Sequence, residues 1–117
     1  MAQWRTTGHA RAYATLEEGP KGSRQFDLDC VGCHVTGWRA PGGACNVAAV
    51  EGRKDVQCES CHGPASLHAV DPPGHIQRAP GEERCRGCHT PEHSTAFDWE
   101  GYRARVLGPG HGARADR

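Results

Sequence analysis

Three short segments of the chain share the pattern Cys-x-x-Cys-His: they run from Cys30 to His34, from Cys58 to His62 and from Cys85 to His89. The pattern is typical of sites where c-type haem is attached. Two thiols at this short, fixed separation reach the two vinyl groups on one porphyrin edge, and the next residue turns its imidazole under the iron. The predicted covalent attachment points are Cys30, Cys33, Cys58, Cys61, Cys85 and Cys88, and the predicted proximal iron ligands are His34, His62 and His89.

Chance and other chemistries account poorly for these motifs. With 7 Cys and 8 His among 117 residues, a random order would give only about 0.03 such pentapeptides. Zinc is also bound by paired Cys-x-x-Cys units, but it does not require a His directly after every second Cys. Disulfide bonds would use the thiols and leave the three His unexplained. The sequence therefore predicts three covalently bound haem c groups.

The chain has too few large apolar residues for an ordinary core. Leu, Ile, Val and Phe account for 14 of the 117 residues, a level that is typical of disordered chains. The formal net charge of zero argues against disorder, because disordered chains combine low hydrophobicity with high net charge. Three buried porphyrins would supply the missing apolar core. We therefore expect one module over residues 1–117 that does not fold without haem.

The basic residues are 12 Arg and only 2 Lys. Guanidinium groups pair bidentately with carboxylates, and each haem carries two propionates that need partners. A solvated surface explains any single Arg equally well. No run of basic residues indicates nucleic acid or an anionic membrane as a partner.

The first predicted helix is the element that would position a candidate iron ligand. Thr6 or Thr7 can cap it, and Gly19-Pro20 ends it. One face of this helix has residues at i, i+3, i+4 and i+7, namely His9, Ala12, Tyr13 and Leu16. A His on the face that covers a haem is a good distal ligand. The pattern therefore favours His9 as an iron ligand over a surface or core His.

The segments between the first two motifs are predicted to be irregular. Residues 19–29 are polar and rich in Gly, and residues 39–57 form a loop or a weak hairpin. After the first motif, Val35 and Trp38 are predicted to pack on the haem plane. Cys45 stands alone, as a buried small hydrophobe, a free thiol or half of an intermolecular bridge. We predict that it is buried.

Four further His lie after the second motif. His68 and His93 each follow a proximal ligand so closely that they are expected to reach a neighbouring iron. His75 lies in a Pro- and Gly-rich loop and is expected to be exposed, whereas His111 lies in a tail that is flexible unless ligated. A last helix near residues 97–107, stopped by Gly108-Pro109, carries Trp99, Tyr102 and Val106 on one side.

No stretch approaches the apolar length of a transmembrane helix, and residues 1–10 show no secretion leader. Haem c is attached after export, so we expect an exported protein, periplasmic or extracellular, without a membrane span. The sequence is then expected to be a mature or partial chain.

The motifs together resemble the multihaem cytochrome c554-type family over nearly the whole chain. The resemblance rests on Trp4-x-x-Thr-x-His9-x-x-Ala-x-x-Thr-Leu16, on Asp29-Cys-x-x-Cys-His34-Val-x-Gly, on Cys58-x-x-Cys-His-Gly-Pro-x-Ser-x-His68 and on Cys-His89-x-x-x-His93-Ser. It implies an exported electron-transfer protein with closely stacked haems that are mostly ligated by two His. It also implies His9, His68 and His93 as distal ligands, with His111 in reserve.

One departure from the family concerns the start of the chain. Family members usually carry a further Cys-x-x-Cys-His just upstream of the Trp4 segment, and this sequence begins at that segment. The chain is therefore expected to be either a fragment or a trihaem variant that completes its haem stack with another subunit.

The expected fold is mostly α with extensive irregular loops, a small multihaem cytochrome c organised around three stacked haems. Five non-motif His exceed the three distal positions, so every iron can be closed, and closed bis-His iron carries electrons without binding substrate. The expected function is electron transfer with redox partner proteins and no catalysis. The competing class is a reductase or peroxidase with one open iron, where Tyr13 or a spare His would serve.

The expected assembly is a homo-oligomer with haem contacts between subunits. A short chain leaves apolar haem edges bare, and such patches mark interaction surfaces. Head-to-tail contacts that do not close make filaments, so we expect an extracellular cytochrome filament in which His9 or His111 is donated to the next subunit. The alternative is an electron-transfer fragment of a longer multihaem protein.

Overall fold

A computed structural model describes residues 2–19, 23–41, 43–71, 79–108 and 111. The described chain is helical with irregular connections, as the sequence predicts, and its one β-feature is an isolated antiparallel bridge between Val35 and Lys54. The α-helices are α1 (Ala2–Arg5), α2 (Ala12–Glu18), α3 (Leu28–His34), α4 (Cys58–His62), α5 (Ser66–Val70), α6 (Glu82–Arg86) and α7 (Trp99–Val106), and two 3₁₀ helices span Gly8–Arg11 and Val47–Ala49. In the described segments, none of these helices has the length and apolar character needed to cross a membrane.

The predicted first helix is divided in two. Thr7 precedes the 3₁₀ helix without capping it, because its hydroxyl donates instead to the carbonyl of Trp4 at 2.7 Å. The first turn of α2 is capped from a distance: the carboxylate of Asp55 accepts the backbone N–H of Tyr13 at 2.9 Å. Gly19 ends α2 in an extended conformation, as predicted. Sequence reasoning placed the end of the helix correctly and missed its true cap.

The side-chain core lies in the first half of the chain. Its buried members, Tyr13, Val31, Val35, Ala44 and Val50, pack together with half-buried Trp38 and Val47. The predicted face of α2 is confirmed, since Ala12, Tyr13 and Leu16 are all buried. After Val50, none of the described residues is buried. Among the described residues, the side-chain core therefore lies beside the first motif.

The prediction that Cys45 is buried is wrong, since its thiol belongs to an exposed residue. The preceding Ala44 is completely buried in the core. Successive side chains of a non-helical segment point to opposite sides, so the burial of Ala44 turns Cys45 toward solvent.

A buried hydroxyl joins the first motif to the second. Thr36, two residues after His34, donates to the carbonyl of Asp55 at 2.8 Å. It also accepts the backbone N–H of Gln57 at 2.9 Å and the hydroxyl of Ser60 at 3.2 Å. Because Gln57 directly precedes α4, this single side chain fixes the start of the second motif against the end of the first.

The last helix follows the predicted boundaries closely. It begins after Asp98, whose carboxylate accepts the backbone N–H of Gly101 at 3.1 Å, and it ends before Gly108. The residues predicted to share one side, Trp99, Tyr102 and Val106, are each half-buried. This helix places Tyr102 beside the third motif.

Candidate metal centres

Short helices present the cysteines of the three motifs. The first motif ends α3 and the second forms the whole of α4, and residues three apart on a helix lie on the same face. The third motif begins in α6, and its last residue keeps a helical hydrogen bond from the N–H of His89 to the carbonyl of Cys85 at 2.9 Å. All seven cysteines are free thiols. The two thiols of each motif therefore lie on the same side of it and are available for haem attachment.

The thiols of the three motifs converge. Those of Cys33 and Cys88 are hydrogen-bonded to each other, and the charges of Cys61 and Cys85 also act on Cys88. Burial, followed by these neighbours, raises the pKa of Cys88 to about 12. Burial is also the main cause that raises the pKa of Cys61 and of Cys85. The third motif thus contacts the first through Cys88 and Cys33, and lies near Cys61 of the second.

Two of the proximal His predicted from the motifs are paired with distal candidates. The ring centroids of His9 and His89 are 6.1 Å apart, and those of His62 and His111 are 6.3 Å apart. Two imidazoles on opposite sides of one metal ion, each with its nitrogen about 2 Å away, have centroids about 6 Å apart. Both separations therefore suit a pair of axial ligands on one iron.

The electrostatics of these pairs favour neutral imidazoles. Burial lowers the pKa of His9, and the nearby His89 lowers it further. Burial also lowers the pKa of His89 and, together with His62 and the chain's amino terminus, that of His111. Neutral imidazole is the form that binds a metal. The lowered pKa therefore favours this form for His9, His89 and His111.

Two proximal His have their second ring nitrogen engaged by the protein. Nδ1 of His34 lies 2.5 Å from the carbonyl oxygen of Ala12, and Nδ1 of His89 lies 2.9 Å from the hydroxyl oxygen of Ser94. A ring that donates through Nδ1 is fixed in orientation and offers Nε2 to a metal. Sequence reasoning missed both partners. For Ser94 there was a signal, since it directly follows His93 in the quoted motif.

An aromatic cluster, also missed, surrounds His89. Phe97 stacks on its ring at 5.0 Å and 17°, and Tyr102 meets it edge-on at 5.3 Å. The guanidinium of Arg86 lies over Phe97 at 4.9 Å, and that of Arg105 lies over Tyr102 at 5.0 Å. These contacts restrain the third proximal ring at its face and at its edge.

Several of the Arg side chains, which the sequence offers as partners for haem propionates, lie over aromatic rings. Besides the two in that cluster, Arg39 lies over Trp38 at 5.5 Å and Arg103 over Trp99 at 5.8 Å. Cation–π contacts of this kind are common for Arg. They leave the charged group at the surface, where that of Arg86 also pairs with the carboxylate of Glu82 at 3.1 Å.

The remaining distal candidates are His68 and His93. His93 is exposed in the turn after the third motif. Within the described residues, neither its ring nor that of His34 is paired with another His ring. The backbone of His68 lies in α5, but its side chain, like the whole of His75, lies outside the described residues. The assignments of His68 and His93 as ligands stay predictions.

A zinc site of the structural kind gathers four ligands around one point. In the described segments, no group of three or more His, Cys, Asp or Glu side chains is arranged to hold a metal ion in this way. The residues are arranged instead as thiol pairs followed by imidazoles, with two imidazole pairs at axial spacing. This donor set fits a haem held by two thioethers and two His.

The chain is similar in sequence to known proteins. The family model described as cytochrome c554 and c-prime matches residues 1–63, which contain the first two motifs and His9. Cytochrome c-554 of Nitrosomonas europaea is 36% identical over 73 residues, covering 52% of this chain and 31% of that protein. The chain thus spans about a third of the length of the curated relative it matches. No solved structure matches the chain.

Proposed function

The chain belongs to the cytochrome c554 and c-prime family, and on that premise we propose that it transfers single electrons through three covalently bound haem c groups. The observation that carries the proposal is the axial spacing of His9 with His89 and of His62 with His111. Bound haem iron supplies a one-electron Fe(III)/Fe(II) couple. Two His on one iron leave no position for a substrate, so the residues here favour a carrier.

The proposed ligand sets follow from these distances. Cys85 and Cys88 would hold the third haem, with His89 and His9 as iron ligands, and Cys58 and Cys61 would hold the second, with His62 and His111. Cys30 and Cys33 would hold the first, with His34 and either His68 or His93. The proposal moves His111 from reserve to ligand, because its ring lies at axial spacing from His62.

The three proposed centres are close to one another. Cys88 is hydrogen-bonded to Cys33 of the first motif and lies within electrostatic reach of Cys61 of the second. Thr36 joins the first motif to the second. The three haems would therefore lie close together.

Haem would also join residues 1–117 into one module. None of the described residues after Val50 is fully buried, although they carry two of the three motifs. Porphyrin faces packed against Phe97, Trp99 and Tyr102 would bury apolar surface there. Among the described residues, the side-chain core lies around Val31 and Val35.

Reduction of a small molecule is the second candidate function, and the environment of His34 favours it. Its Nδ1 is engaged by Ala12, yet no His ring in the described part of the chain is paired with it. An iron with one open position binds small ligands. A high-spin signal in the resting holoprotein, with rapid binding of cyanide, would favour this function over the carrier.

Export and assembly are further parts of the proposal. Haem c is attached after export, so the site of action is the periplasm or the cell exterior. His93 is exposed and is free to reach a haem of another copy, which would link chains head to tail into a filament. Since His9 and His111 lie beside rings of their own chain, His93 replaces them as the proposed donor. A monomer at high concentration with all irons low-spin would contradict this link.

The test of the proposed function is a mass spectrum of the denatured holoprotein. We expect three haem adducts in the unaltered chain. The Cys85→Ala/Cys88→Ala variant should lose one, whereas Cys45→Ala, which alters the seventh cysteine, should lose none. A spectrum without haem adducts, or loss of haem from the Cys45 variant, would rule out the assignment.

A further inference from the structure

Two of the proximal imidazoles have a described hydrogen-bond partner at Nδ1, and the two partners differ in kind. His34 faces a backbone carbonyl, that of Ala12, whereas His89 faces a side-chain hydroxyl, that of Ser94. When Nε2 binds iron, Nδ1 carries the hydrogen and must donate it, so Ser94 accepts. The partner of His34 is fixed by the backbone, and the partner of His89 can be changed by one substitution.

We propose that Ser94 is a positioning residue that holds the ring of His89 and lowers the reduction potential of the third haem. This inference rests on the proposed function, because it requires haem on Cys85 and Cys88. Its basis is geometric: the hydroxyl lies 2.9 Å from Nδ1, at ordinary hydrogen-bond length.

Ser94 is itself held in place by the turn that carries it. Its backbone N–H donates to the carbonyl of Thr90 at 2.8 Å, and its side chain is half-buried. The ring of His89 is further confined by Phe97 on its face and Tyr102 at its edge. The hydroxyl therefore restrains rotation of this ring about its bond to Cβ.

The electronic consequence follows from the direction of the hydrogen bond. A ring that donates through Nδ1 becomes a more basic ligand at Nε2. A more basic ligand stabilises ferric iron more than ferrous iron, which lowers the reduction potential. Removing the acceptor should therefore raise the potential of this centre, and a stronger acceptor should lower it.

The experiment is a redox titration of the holoprotein in a graded series at one position. Ser94→Ala should move one of the three reduction steps to higher potential, and Ser94→Asp should move the same step to lower potential. Ser94→Thr keeps the hydroxyl and should leave the potential of that step unchanged. Thr95→Ala removes the neighbouring exposed hydroxyl and should change nothing. The step assigned to the haem on His34 serves as an internal reference.

Opposite shifts for the Ala and Asp variants cannot come from a general loosening of the fold. Shifts of the same sign, or no shift in either variant, would overturn the inference. The Asp and Thr variants keep an acceptor and so test it even where Ser94→Ala fails to load haem. The proposed function is read separately, from haem adducts on the denatured chain. Three adducts with unmoved potentials would reject the role of Ser94 and keep electron transfer.

Discussion

The imidazole of His9 lies 6.1 Å from that of His89, although one precedes the first motif and the other ends the third. The backbone of His9 is held next to the start of the second motif, because its carbonyl accepts the backbone N–H of Val56 at 3.1 Å. The indole of Trp4 also donates to the carbonyl of Val56 at 2.7 Å. The N-terminal segment is thus fixed beside the segment leading into α4 and reaches the third motif from there.

His9→Ala should convert one of three low-spin centres to high spin, because the iron on His89 loses its second ligand. His9→Met should keep that iron six-coordinate at a higher reduction potential, since a thioether ligand raises it. Electron paramagnetic resonance and redox titration measure the two effects. An unchanged spectrum of the Ala variant would show that His9 is not a ligand.

His111→Ala should convert a different centre, the one on His62. The double variant His9→Ala/His111→Ala should then lose two low-spin signals, because the two His serve separate irons. Spin quantification of the single and double variants provides the measurement. If the double variant loses only one signal, both His serve the same iron and the pairing is wrong.

Thr36→Val should destabilise the holoprotein by about 1–3 kcal/mol, because it leaves buried backbone groups of Asp55 and Gln57 without their partner. The matched control is Thr15→Val, which removes an exposed helical hydroxyl bonded to Arg11 and should cost far less. Denaturant unfolding followed by haem absorbance compares the two variants. Equal losses of unfolding free energy would contradict the role of Thr36 as a link between motifs.

Cys45 should react with a maleimide in the folded holoprotein, because its residue is exposed and its thiol lies outside the motifs. Labelling should add one reagent per chain and should be absent in Cys45→Ser. Haem content should be the same in both. Resistance of the native protein to labelling, with reaction only after unfolding, would place this thiol in an interface or a core.

The sequence by itself determined the chemistry and the class of fold. Haem attachment requires two thiols and an imidazole within five consecutive residues, so the motif at Cys30 to His34 is visible in the chain as written. Two helix ends are also local: Gly19 ends α2, and Asp98 caps α7 from within its first turn. The low apolar content likewise predicted that side chains alone would not make a full core.

Only the tertiary structure decided which residues meet. The pairing of His9 with His89 and the capping of α2 by Asp55 join positions far apart in the chain, and spacing carries no information about such contacts. The exposure of Cys45 depended on Ala44 turning into a core built from other segments. The hydrogen bond between His89 and Ser94 depends on the length of the turn between them. A turn longer or shorter by one residue would direct a different side chain at the ring.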